Sequence, residues 1–252
     1  KEGCALKKKG LLWLVALSLV LGMGIGRAAS DATLGDIVFS DGTIVHVQDL
    51  SAWTEDCFPV AVVAAIREDG SILGLGTQRS EEALPWAAEG SAGEAIHFSA
   101  LESRMEGSSE GHADRAVFSG ALDGRDSWRA VCAEDARGAA DAARCYPAFD
   151  FVNTYAERQG LTEDMAAGWY LPSIAELCAI YQNREAVSRS LEAIHALDGG
   201  AAMDGLGTNW YWSSSQSAIR GDCAWFVHYF NGYVCDCPKN FTNLHALAVK
   251  RF

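Results

Sequence analysis

Runs typical of β-strands occupy both ends of this 252-residue chain, and helical patterns occupy its middle. Four short apolar runs lie near the start, at 37–39, 44–47, 60–66 and 72–75. The last two flank Glu68-Asp69-Gly70, which predicts a hairpin. Near the end, runs at 223–230 and 233–235 flank Asn231-Gly232, the strongest short hairpin signal, and a last strand is predicted over 244–252. Strands before and after the helices favour an α+β fold whose two ends meet in one antiparallel sheet.

The clearest helix signal follows Pro172. Ser173 and Glu176 have the spacing of a capping box, which opens a helix with an apolar face. Further helices are predicted over 150–159 and 187–197, because apolar residues recur there at steps of three and four. Residues 79–144 are rich in Ala, Gly, Ser and acidic residues, so we expect long loops and irregular structure there.

The first thirty residues predict a secretory signal peptide. Three lysines at 7–9 precede an apolar run over residues 11–25, and small residues follow at 28–30. A membrane anchor is the alternative, but the run is shorter than the roughly 20 residues that span a bilayer, and it contains Gly22 and Gly24, with Gly26 directly after it. No cysteine lies directly after the run, where it would mark a lipoprotein cleavage site. We therefore expect an exported protein, at the cell surface or in the periplasm.

Charge and cysteine number restrict the possible partners. The net charge is −13, and removal of the predicted signal peptide takes away five basic residues and one acidic residue, which lowers it to −17. No run of Lys or Arg follows, so nucleic-acid binding is disfavoured, and membrane association is expected only through export or an anchoring route. Seven of the eight cysteines follow the signal peptide, an odd number that leaves at least one thiol unpaired within the chain.

Several motifs in the second half of the chain occur together in one known family. They are Gly168-Trp169-Tyr170-Leu171-Pro172-Ser173-Ile174-Ala175-Glu176-Leu177, Tyr211-Trp212-Ser213-Ser214-Ser215-Gln216, Ala224-Trp225-Phe226-Val227, Gly232, Lys239 and Ala248-Val249-Lys250-Arg251-Phe252. In combination they resemble the variable proteins of diversity-generating retroelements, the treponeme-type ones in particular. The match is dense over 151–252, thinner over 35–76, and fades across 79–144.

The resemblance implies a C-type-lectin-like fold of the formylglycine-generating-enzyme kind, with short antiparallel sheets, two or three helices and long irregular loops. We expect one domain over residues 31–252. In this family a reverse transcriptase rewrites the gene's 3′ end at adenines, mostly in asparagine codons, and the corresponding region here is about 219–245. The implied role is an exported receptor- or adhesin-like protein, not an enzyme, with no cofactor. Its partner would be a protein or another cell-surface ligand.

The composition of residues 219–245 agrees with that mechanism. Replacing the adenines of an AAC or AAT codon never yields Lys, Glu, Gln, Met or Trp. The only such residues in the segment are Trp225 and Lys239, which the family keeps as framework.

A hairpin sends alternate side chains to opposite faces, so one set can pack while the other varies. The predicted outward set is His228, Phe230, Tyr233, Cys235, Cys237, Phe241, Leu244 and His245. Residues predicted at turns are Asn231, Asp236, Asn240, Thr242 and Asn243, and Cys223 completes the candidate ligand-binding region. For Phe230 and Phe241 a core location is the alternative. Trp169, Trp212 and Trp225 are expected in the core, as framework together with Lys239.

Other chemistries have weaker support. Cys235-Asp236-Cys237, with Cys223, His228 and His245 nearby, lacks C-x₂-C spacing, so we expect no metal site. The Glu-Pro-Asn, Gln-Pro-Asp and Trp-Asn-Asp signatures of calcium-dependent lectins are absent. Ser213, Ser214 and Ser215 lack a G-x-S-x-G context and are predicted as a structural turn, not as a nucleophile. Two alternatives stay open: a non-diversified adhesin or envelope protein of the same fold and, less favoured, a formylglycine-generating-type oxidase.

Overall fold

The computed structural model describes residues 31–107 and 110–252, so the predicted signal peptide lies outside the described residues. The described chain forms two six-stranded sheets with helices packed against them. This arrangement confirms the predicted α+β class.

The first sheet, the terminal sheet, joins strands from both ends of the chain. Its strands are β1 (Ile37–Phe39), β2 (Ile44–Val45), β3 (Pro59–Ile66), β4 (Ile72–Arg79), β8 (Trp169–Tyr170) and β12 (Leu247–Arg251). They lie in the order β2-β1-β3-β4-β12-β8, and all neighbours are antiparallel. Val249 of β12 lies opposite Leu75 on one side and Tyr170 on the other, which confirms that the two ends meet in one sheet.

The second sheet, the hairpin sheet, carries most of the candidate region. Its strands are β5 (Glu102–Met105), β6 (Gly111–His112), β7 (Phe118–Gly120), β9 (Trp210–Ser217), β10 (Cys223–His228) and β11 (Tyr233–Pro238). They lie in the order β6-β11-β10-β9-β5-β7, and only the β5–β9 pair is parallel. The Asn231-Gly232 turn joins β10 to β11 as predicted, with Gly232 at a φ of +70°.

Most of the helices are short. They are α1 (Ala92–Ala95), α2 (Ser127–Glu134), α3 (Ala136–Ala139), α4 (Ala142–Cys145), α5 (Pro147–Asn153), α6 (Tyr155–Arg158), α7 (Glu163–Ala166), α8 (Ile174–Gln182) and α9 (Arg184–Leu197). The predicted capping box opens α8: Ser173 Oγ accepts a hydrogen bond from the Glu176 N–H, and Glu176 Oε2 accepts one from the Ser173 N–H. The predicted helix over 187–197 is the larger part of α9.

Three predictions of local structure are wrong. Short helices and strands (α1 to α4 and β5 to β7) interrupt residues 79–144, where long loops were expected. The helix predicted over 150–159 is broken at Thr154. Its Oγ1 donates to the Asp150 carbonyl, which also accepts the Thr154 N–H, and to the Phe151 carbonyl, and such back-bonding bends helices. Residues 213–215 are no turn: they lie buried within β9, which is held by strands on both sides.

Two apolar clusters cover the two faces of the terminal sheet. Val62 and Ala64 of β3 point into one cluster, with α8 and α9, while Ala61 and Val63 point into the other, with α5. Because both faces of β3 are buried, its sequence is a continuous apolar run and does not alternate between apolar and polar residues. Each fully buried Val side chain contributes about 1.5 to 3 kcal/mol to stability.

Candidate ligand-binding surface

The register of the β10–β11 hairpin decides which side chains face outward. Phe226 lies opposite Cys235, and His228 lies opposite Tyr233, so these four share one face. The alternate residues, such as Trp225, point into the core. One face of the hairpin is therefore buried, and the other is available for contacts only near the turn, at His228 and Tyr233, because Phe226 is itself buried.

The outward face gathers six rings into one group, the aromatic cluster. Its members are Trp210, Phe226, His228, Phe230, Tyr233 and Phe241. Trp210 is at its centre: its ring stacks on Phe226 with centroids 5.3 Å apart and an interplanar angle of 4°, and it lies 4.9 Å from His228 and 6.4 Å from Phe241. Phe230, in the turn between β10 and β11, joins the cluster through His228, with ring centroids 6.0 Å apart.

Three rings of the cluster are exposed, Phe230 at 70%, Tyr233 at 37% and Phe241 at 36%. The core location considered for Phe230 and Phe241 is therefore not the one they occupy. Exposed apolar rings that rest on buried ones form a rigid contact surface, because little rotamer freedom is left to lose on binding.

Polar groups surround the aromatic cluster. Tyr233 Oη donates to Glu110, and this hydrogen bond raises the pKa of the phenol. Asn240 Nδ2 donates to Glu94 Oε1 over 2.6 Å, and Thr242 and Asn243 are exposed beside it. Aromatic residues within a polar rim are typical of protein-binding surfaces.

Three residues predicted for this surface are buried instead. Leu244 is fully buried because the chain turns inward after Pro238 and no longer alternates; its carbonyl accepts from the Leu84 N–H at 2.7 Å. Cys223 is 1% exposed because alternation along β10 puts it on the same face as Trp225. Asp236, predicted at a turn, lies opposite Trp225 within β11 and is paired with Arg220.

His228, Cys235, Cys237, Asn240 and His245 are half-buried. His245 lies away from the cluster's exposed rings, and its Nδ1 is 2.9 Å from the Ser80 carbonyl oxygen.

The cysteines of the hairpin are free thiols, as are all seven in the described chain. Burial raises the pKa of Cys223 to about 12 and also raises that of Cys237, so both stay protonated at neutral pH. Within residues 31–107 and 110–252, no three His, Cys, Asp or Glu side chains are grouped to hold a metal ion. Cys235 and Cys237 instead pack at the edge of an apolar cluster.

Lys239 is fully buried directly after β11. Its Nζ donates to the Ile96 carbonyl at 2.6 Å and lies over the rings of Trp86 and Phe98, 5.0 and 4.9 Å from their centroids. Burial lowers the pKa of this lysine to about 8. The residue thus ties the loop that carries Phe241 to the body of the domain.

The three framework tryptophans are also buried, and each indole N–H has a carbonyl partner. Trp212 donates to Leu84, Trp225 to Ser103, and Trp169 to Met165, over 2.7 to 2.8 Å.

The prediction of the surface omitted Trp210. The sequence does contain a signal for it. Trp210 lies two residues before Trp212 on one strand, so both rings lie on the same face of the sheet as Phe226.

No protein-family model matches this sequence. No curated protein matches it at a significant level. Among solved structures, the fold is similar to that of a fimbrial protein from Bacteroides ovatus, with 12% sequence identity and a TM-score of 0.52. The match covers 87% of this chain and 48% of that one, so the chain spans about half the length of the fimbrial protein. At this identity the similarity shows a common fold. In the part of the chain that is described, no helix is both long and apolar enough to cross a membrane.

Proposed function

We propose that this chain is an exported, adhesin-like binding protein, not an enzyme, and that the aromatic cluster is its ligand-binding surface. The observation that carries the proposal is the two-sided hairpin, whose inner face is buried while Phe230, Tyr233 and Phe241 are exposed on a base of stacked rings. Such rings contribute large contact areas to protein interfaces. A fold similar to that of a fimbrial protein fits a role at the cell surface.

The proposal extends to a C-type-lectin-like fold with a tail diversified by a retroelement reverse transcriptase. The burial of two residues that the mechanism would leave unchanged supports diversification. Trp225 and Lys239, the only residues of 219–245 that mutated asparagine codons cannot produce, are 1% and 0% exposed. A codon that must not vary is expected at such a position, because a changed side chain would disrupt packing.

Burial also narrows the set of positions that can vary. Of the fourteen candidate ligand-binding residues, six are exposed: Phe230, Asn231, Tyr233, Phe241, Thr242 and Asn243. Changes at Leu244, Cys223 or Asp236 would disturb the core or an ion pair. We therefore propose that variation concentrates in the six exposed positions.

The alternatives make distinct predictions. A non-diversified adhesin would use the same surface for one fixed partner. An oxidase that uses Cys235 and Cys237 is less favoured, because both thiols are half-buried against an apolar cluster.

Deep sequencing of the gene's 3′ end and its flanking DNA across many isolates tests the proposal. We expect substitutions at codons for the six exposed residues, unchanged Trp225 and Lys239, and a near-copy of the segment beside a reverse-transcriptase gene. A uniform segment without such a copy would leave the fixed adhesin. Copper-dependent oxygen uptake by the purified protein would instead support the oxidase.

A further inference from the structure

A cleft remote from the aromatic cluster has the lining of a binding site. Three adjoining depressions of about 490, 430 and 350 Å³ meet at Gln78, which lines all three; we call them together the Gln78 cleft. Each is as large as a small-molecule pocket, which typically measures about 300 to 1,000 Å³. None of the six aromatic-cluster residues is among those that line the cleft.

Two side-chain amides are fixed at the centre of the cleft. Gln159 Nε2 donates to Gln78 Oε1 at 2.7 Å, and the Gln78 backbone N–H donates to Tyr155 Oη at 3.2 Å. An amide has two N–H donors and a carbonyl acceptor, so the bonded pair retains both kinds of group for a ligand. A hydroxyl group, itself donor and acceptor, matches this mixture better than a carboxylate or an ammonium group does.

Aromatic and apolar side chains form one wall of the largest depression. Trp53 and Phe58 are partly exposed there, next to Ile194 at the end of α9. The face of an aromatic ring is negatively polarised and attracts the positively polarised C–H groups of a ligand. A sugar ring presents such C–H groups on its faces and hydroxyls around its edge.

Charges of both signs line the cleft. Arg158 and Arg79 lie near its centre, and acidic residues, Glu55, Glu81 and Asp198 among them, lie around them. The lining holds six acidic groups and two guanidinium groups, and this excess of negative charge repels an anionic ligand. Planar Arg, Asp and Gln groups can each bind neighbouring hydroxyls through two atoms.

We propose that the Gln78 cleft binds a neutral oligosaccharide, with a sugar ring against Trp53 and its hydroxyls on the Gln78–Gln159 pair. The three depressions that meet at the amide pair would hold successive sugar units. This site is independent of the protein-binding surface proposed above.

A glycan array that displays neutral and sialylated oligosaccharides provides the first test. We expect the purified protein to bind one or more of the neutral glycans and no glycan whose binding requires its sialic acid. Retention of no neutral glycan, or of sialylated glycans alone, would overturn the proposal.

Calorimetric titration of variants, with the neutral glycan that the protein binds best on the array, then locates the site. Gln159→Ala is expected to weaken binding about 3- to 10-fold through lost hydrogen bonds, and Trp53→Ala about tenfold through lost ring contact. Val117→Ala changes an exposed side chain that belongs neither to the cleft nor to the aromatic cluster, so this control should leave the affinity unchanged. Gln159 is only partly buried, so its variant remains informative if Trp53→Ala fails to fold. Unchanged affinity in a folded Gln159→Ala protein would refute the assignment.

Discussion

Replacing Lys239 by Met should change how the stability of this protein depends on pH. The ammonium group is fully buried among two backbone carbonyls and two aromatic rings. Burial favours the neutral amine, which lowers the pKa from 10.5 to about 8 in the folded protein. In the unfolded chain the side chain is hydrated and keeps its ordinary pKa.

The sign and size of the effect follow from these two values. At a pH between these two pKa values the unfolded chain binds more protons than the folded one, so the free energy of unfolding rises with pH across that range. At about pH 7 the lysine is charged in both states, and its burial costs about 3 kcal/mol. At about pH 9.5 the folded protein has lost this proton and the unfolded chain mostly has not, so the cost falls to about 1.4 kcal/mol.

The assay is urea unfolding followed by circular dichroism, for the wild type and Lys239→Met, at about pH 7, 8 and 9.5. Tyrosines and thiols that titrate in this range contribute equally to both proteins and cancel in the difference. We expect the wild type to gain about 2 kcal/mol relative to the variant across the range. A difference that does not change with pH, or that changes in the opposite direction, would refute the burial of a charged Lys239.

Three further predictions concern the hairpin and its loop. Phe230→Ser should change the free energy of unfolding by less than about 0.5 kcal/mol, because the ring is exposed. Leu244→Ser should lower it by at least about 2 kcal/mol, because Leu244 is buried. Equal losses of stability in urea unfolding would contradict these placements. Gly232→Ala should lower the melting temperature more than Gly70→Ala does, since both have positive φ but only at Gly232 would the new Cβ approach other side chains to 2.6 Å. Arg220→Met removes the half-exposed cation that pairs with the buried carboxylate of Asp236, and it should lower the free energy of unfolding by about 1 to 2 kcal/mol near neutral pH. A variant as stable as the wild type would show that the ion pair contributes nothing to stability.

Local sequence signals predicted the parts of the fold that local chemistry determines. The capping box of Ser173 and Glu176 requires only neighbouring residues, and so does the turn at Asn231-Gly232. The broken helix shows the limit of such signals. Its apolar spacing was correct, but the Thr154 hydroxyl donates back to two helical carbonyls.

Long-range packing determined what the sequence could not predict. The polar run at 213–215 lies within β9 at a register shift opposite Trp225, where distant groups bond it: Ser213 Oγ donates to the Trp225 carbonyl, and the Ser214 N–H donates to the Pro172 carbonyl. Leu244 is buried because the loop after β11 turns inward, where alternation no longer applies. Trp210 is part of the candidate surface through ring contacts with Phe226 and His228 of β10 and with Phe241 in the loop after β11.

The position of β12 between β4 and β8 has a consequence for the order of synthesis and folding. The ribosome makes residues 223–245 before it makes β12, so the terminal sheet cannot be completed until the hairpin has emerged. Pairing across so long a stretch of chain is slow. A hairpin that misfolds would delay or block the docking of β12. Under the proposed diversification, completion of the terminal sheet would act as quality control, because only hairpins that pack correctly would give a finished domain.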